Sequence, residues 1–109
     1  ATFRKNLAEN AVIVKNDSDM LLVFPKPVLF DRVVLQENFR QGQKVESFVL
    51  EIWNQNAWQE VVHGTTIGYK RLLRFDPVGS DKVRLRITSA RDLPEIAFFG
   101  LYKAPGEKQ

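Results

Sequence analysis

The 109-residue sequence predicts an all-β domain. Three observations carry that expectation: the apolar segments are short and rich in Val, Ile, Leu and Phe, turn residues separate them, and the clearest alternate with period two rather than at helical spacing. Eight segments qualify as strands: 11–14, 20–24, 29–36, 45–53, 58–62, 66–75, 82–88 and 96–102. So many short strands are expected to close into a sandwich or a barrel.

Taken in chain order, 11–14 and 20–24 are separated by the polar run Lys15-Asn16-Asp17-Ser18-Asp19, and Pro25 and Pro27 punctuate the way into 29–36 as a connection. In 45–53, Phe48, Leu50 and Ile52 share one face and Glu51 looks the other way. The stretch from Trp53 through Asn54, Gln55 and Asn56 to Trp58 has the composition of a hairpin turn, since asparagine tolerates the left-handed conformation. Asp76-Pro77-Val78-Gly79-Ser80 is read as a second connection. In 82–88, Val83, Leu85 and Ile87 alternate with Lys82, Arg84 and Arg86, so one face is core and the other wet. Gly42 lies in a polar stretch, and 104–109 reads as a flexible tail on a single domain spanning 1–109.

Composition narrows the function. A net charge of +3 is spread from Arg4 to Lys108 with acidic residues interleaved, which argues against a nucleic-acid partner, whose readers concentrate basic and stacking residues. No apolar run reaches the roughly 20 residues of a membrane span, and the first residues lack the apolar stretch of a signal peptide; the chain is expected to be soluble, monomeric and cut from something longer. With no cysteine and only His63, thiolate chemistry and multi-histidine metal sites are excluded. The serines fit no nucleophile elbow, and Gly64-Thr65-Thr66-Ile67-Gly68 matches no phosphate loop. Glu51 and Glu60 are the nearest approach to a glycosidase carboxylate pair, and one hairpin register makes them cross-strand neighbours; two surface carboxylates are the simpler reading.

What remains is a vocabulary suited to sugars: Trp53, Asn54, Asn56, His63, Tyr69 and Arg71, at or near the ends of central strands. Aromatic faces pack on pyranose C–H faces, and Arg and Asn make paired hydrogen bonds to adjacent hydroxyls. Trp58 after the polar turn reads as a core plug, and Arg71, Arg74, Arg84 and Arg86 as a solvated sheet face.

Phe30-Asp31-Arg32-Val33-Val34-Leu35-Gln36-Glu37, Trp58, Gly64-Thr65-Thr66-Ile67-Gly68-Tyr69-Lys70-Arg71, Val83 to Thr88 and Phe99-Gly100-Leu101-Tyr102 together resemble the C-terminal discoidin-like (coagulation factor 5/8 type C) module of bacterial family 29 α-L-fucosidases. The resemblance implies a galactose-binding-like jelly-roll β-sandwich of two antiparallel sheets, non-catalytic in itself. It further implies a carbohydrate partner of galactose or fucose type, the catalytic domain of a parent glycosidase, and a periplasmic or extracellular location. The family's usual Asp-Gly and Tyr-Trp segment is missing between the first strands, and Ala97-Phe98-Phe99 stands where relatives place a calcium-holding glutamate. Asp17 and Asp19 fall short of the six to eight oxygens of a calcium site, so no metal or other cofactor is expected. Two functions stay open: a sugar-binding accessory module, or a module that braces the catalytic domain without binding sugar. A third, membrane adhesion through an exposed apolar spike, would rest on Phe39.

Overall fold

A computed structural model describes residues 6–16, 19–38 and 44–104. Among the described residues it contains six strands, β1 (Val12–Lys15), β2 (Asp19–Glu37), β3 (Val45–Asn54), β4 (Ala57–Gly64), β5 (Arg71–Ala90) and β6 (Ile96–Tyr102), after a short 3-10 turn at Leu7–Asn10. All pairings are antiparallel, in the order β1-β2-β5-β3-β4, with β6 on the other part of β2. The expected all-β class is what the chain adopts.

Two of the expected connections are not connections. Segments 20–24 and 29–36 belong to the single strand β2, and the last part of 66–75 joins 82–88 in β5, while residues 66–70 lie outside any strand. The prolines sit in bulges. Between the pairs Val23–Lys82 and Val28–Ser80, β2 inserts Phe24 to Pro27 against Asp81; between Phe30–Val78 and Arg32–Arg74, β5 inserts Phe75, Asp76 and Pro77 against Asp31. A bulge leaves residues unpaired, so it accommodates proline without ending the strand, and it bends the ladder.

These bends divide the ladder into two parts. One comprises β1, the first half of β2, the second half of β5, β3 and β4; the other comprises the remaining halves of β2 and β5 with β6. Their inward residues, among them Leu22, Leu50, Val83 and Leu85 from the first and Phe30, Val33, Leu35 and Leu101 from the second, form one buried cluster. The arrangement is compatible with a β-sandwich.

Local polar groups fix the joints. At the β5 bulge Asp31 accepts hydrogen bonds from Arg32 Nε (3.0 Å) and the Ala104 N–H (3.0 Å), with Lys103 nearby. Burial works to raise its pKa, but the bonds from Arg32 and Ala104 and the two positive charges hold it below the ordinary carboxylate value. Buried Glu37 accepts from the N–H groups of Lys44 (2.6 Å) and Val45 (3.0 Å), closing the entry to β3. The β3–β4 hairpin turns through Gln55 and Asn56, whose φ of 53° and 66° are those of a two-residue type I′ turn. That turn pairs Trp53 with Trp58.

Candidate functional site

The outer side of the larger part is where functional chemistry gathers. Because Phe48, Leu50 and Ile52 face the core, Val49, Glu51 and Trp53 face out; across the ladder they meet Arg84 and Arg86 of β5 and Trp58 and Glu60 of β4. Glu51 is nevertheless buried, its side chain only 9% exposed, because two arginines close over it. Its Oε1 accepts from Arg84 Nε (2.8 Å) and its Oε2 from Arg86 Nη2 (3.0 Å). The Arg84 guanidinium in turn stacks on the Trp58 ring, 4.2 Å from its centroid. Trp58 meets Trp53 edge to face at 5.3 Å, and Lys82 Nζ lies 5.7 Å from the Trp53 ring. A continuous series of charge pairs and cation–π contacts therefore crosses three strands.

Burial pushes the Glu51 pKa up, but the hydrogen bonds and charges of Arg86 and Arg84 outweigh it and hold the carboxyl below its ordinary value. Glu51 and Glu60 are cross-strand partners, as one hairpin register required. Glycoside hydrolysis needs one carboxyl of such a pair to stay protonated as the acid. Glu51 is held below its ordinary pKa and so cannot be that acid, and both of its oxygens are already engaged by Arg84 and Arg86.

The six residues singled out for sugar binding fall into three places. Trp53, Asn54 and Asn56 are at the hairpin tip, where Asn54 Nδ2 donates to Gln59 Oε1 at 3.2 Å. His63 pairs with Val49 at the far end of the hairpin, four residues along β3 from Trp53 and so about 13 Å away along the strand. A bulge at Val61 turns Glu60 and His63 to the same side, and their side chains meet at 2.6 Å, both exposed. Tyr69 is 75% exposed on the segment between β4 and β5, while Arg71 Nη1 donates to the Thr66 carbonyl at 2.7 Å, pinning that segment. Trp53 and His63 share a face without meeting; Tyr69 precedes β5, and Arg71 pairs with Leu35 of β2.

Trp58 is not a core plug: it is half-buried on the outer face under Arg84. Nor are Arg84 and Arg86 simply solvated, since both are tied to Glu51. The alternation of 82–88 shows that these arginines face outward, but the acid they meet is more than thirty residues away in sequence and is revealed only by the β3–β5 pairing. Among the described residues no group of three or more His, Cys, Asp or Glu could hold a metal ion. Asp17 and Phe39 lie outside the described residues.

The same face continues over Leu21 and Val23 of β2 to Val12 and Val14 of β1, which are 65% and 52% exposed. The chain is 42% identical over 84 residues to a protein of Oryza sativa subsp. japonica named as an α-L-fucosidase, and 38% identical over 91 residues to alpha-L-fucosidase 1 of Arabidopsis thaliana. Its homologues are α-L-fucosidases. The aligned parts cover 77% and 81% of this chain but span only 16% and 18% of those fucosidases, at their C-terminal end. A crystal structure of a glycoside hydrolase 29 family member from an unknown rumen bacterium superimposes with a TM-score of 0.88 at 34% identity, covering 98% of this chain and 21% of that one. No protein-family model matches the chain.

Proposed function

We propose that the chain is a discoidin-like, non-catalytic accessory module of an α-L-fucosidase, and that its work is to brace the catalytic domain. The observation that carries this reading is the outer face running from Val12 and Val14 across Leu21 and Val23 to Arg84, Trp58 and Trp53. A solvated face of an antiparallel sheet is ordinarily polar; an apolar strip beside ordered Trp and Arg is the chemistry of a protein contact. The arginine that stacks on Trp58 is already fixed by Glu51, so little side-chain entropy remains to be lost on docking.

The other reading, a galactose- or fucose-type sugar held by Trp53, Asn54, Asn56, His63, Tyr69 and Arg71, requires those side chains to surround one ring. The separation of the hairpin tip from His63 works against it.

The test uses Val14→Asp in a fucosidase carrying this module and in the chain alone. Val14 is exposed on an edge strand, so the chain alone is expected to melt unchanged, whereas the two-domain enzyme loses several degrees in thermal inactivation. Equal melting and inactivation of variant and parent in both contexts would overturn the brace.

A further inference from the structure

On the opposite side of the molecule, the outer face of the smaller part forms a second site. Register sets its side chains in rows: Arg32 lies between Arg74 and Tyr102, Val34 between Leu72 and Gly100, and Gln36 beside Phe98, with Lys70 just ahead of β5. Gly100 is the gap in this pattern. A Cβ there would lie 2.7 Å from Phe98 and 3.0 Å from Tyr102, so the two rings lean in from either side and close over the bare backbone. The floor at this point is therefore made by the edges of two aromatic rings, and residue 100 adds no side chain of its own. Val34, Gln36, Lys70, Phe98 and Tyr102 line a shallow groove of about 270 Å³ above it.

The charged side chains beside this floor in the rows of β2 and β5 are basic. Gln36 brings an amide that can both donate and accept, and Lys70 is an exposed ammonium; Arg74 and Arg32 stand in the outer row. The nearby carboxylate, Asp31, is turned to Arg32, Lys103 and the Ala104 N–H. Aromatic side chains accept the C–H face of a pyranose, an amide suits a pair of ring hydroxyls, and a positive field adds attraction for an anionic substituent. The volume is near the lower end for small-molecule sites, on the order of 300 Å³, which fits a monosaccharide unit better than a protein segment.

We propose that this groove binds an anionic pyranose unit of a glycan, bearing a carboxylate or a sulfate. Lys70 faces the anionic group, Gln36 the hydroxyls, and Phe98 with Tyr102 the apolar face of the ring. The groove shares no residue with the bracing face, and Val14→Asp removes none of its groups.

The experiment is an NMR titration of the 109-residue chain with glucuronate, galactose 6-sulfate, galactose and fucose at millimolar concentrations. Glucuronate or galactose 6-sulfate is expected to shift the amides of Gln36, Lys70, Phe98, Gly100 and Tyr102, and which of them does so identifies the anionic group. Galactose and fucose are expected to bind roughly tenfold more weakly, and added salt to weaken the anionic sugar. Lys70→Ala, an exposed change that leaves the fold intact, is expected to abolish the preference for the anionic sugars. Absence of shifts in the groove with both anionic sugars, equal binding of charged and neutral sugars, or shifts confined to the stretch from Trp53 to His63 would each overturn the proposal. So would groove shifts that appear only when a fucosidase catalytic domain is added.

Discussion

Glu51 looks outward from its strand yet is covered, and its two oxygens are shared between Arg84 and Arg86. Replacing it by glutamine keeps the shape but leaves two guanidinium groups without a counter-charge. Glu51→Gln is therefore expected to lower stability by about 2 kcal/mol at neutral pH, read by urea denaturation. The folded-state pKa is depressed from the ordinary 4.5, so this stabilisation is complete above that value and is lost as pH falls through the depressed folded value. The gap between parent and variant should accordingly close under strongly acidic conditions. A gap that stays constant with pH would show that shape, not charge, is at work. The outward direction of Glu51 was legible from the period-two pattern around Phe48, Leu50 and Ile52, but its partners were not, because they are set by pairing across distant sequence. Trp53 and His63 stand apart for a related reason. Trp53 and His63 both lie near strand ends, but in an antiparallel hairpin the start of β4 and its finish are at opposite ends of the ladder.

At the scale of an element, β4 and β5 show how differently two glycines in strands behave. A Cβ on Gly64 would meet Phe48 Cζ at 2.6 Å, and Phe48 is fully buried with nowhere to move. On Gly79 a Cβ meets nothing closer than the Val28 carbonyl oxygen at 3.6 Å. Gly64→Ala is expected to cost about 1–3 kcal/mol by overpacking, while Gly79→Ala is neutral or stabilises by a few tenths through the unfolded chain, about 0.4–1 kcal/mol at most. Denaturant midpoints of the two variants check this, and equal midpoints would contradict the packing argument. Sequence punctuation distinguishes these positions poorly. Gly79 reads as part of a connection, as do Pro25, Pro27 and Pro77, because the local chemistry that ends a strand also suits a bulge within one. The strands themselves were legible wherever one face is core and one is wet; what was hidden is that two pairs of them run on as β2 and β5.

That continuity governs the whole molecule. β2 and β5 each contribute to both parts of the ladder, and their inward side chains fill one core, so neither part can open without stripping residues such as Phe30 and Leu22 from the other. A sandwich of two independently held sheets would carry no such covalent coupling. Both tryptophans, Trp53 and Trp58, sit on the larger part, so selectively excited tryptophan fluorescence reports on that part alone. Methyl signals of Val33 and Leu101, both fully buried in the smaller part, report on the other. Urea unfolding followed by both probes is expected to give one coincident transition, and Leu101→Ala, which removes core volume from the smaller part, should move the fluorescence midpoint by as much as the methyl midpoint, for a loss of about 2–5 kcal/mol. Two separated midpoints, or a Leu101→Ala effect seen by methyl signals alone, would mean that the bulges act as hinges between separately stable halves. In that case the bracing face and the aromatic groove, which lie on different parts, would respond to docking independently; with a single transition, a partner that grips Val14 also stiffens the strands beneath Gly100, because β2 runs under both.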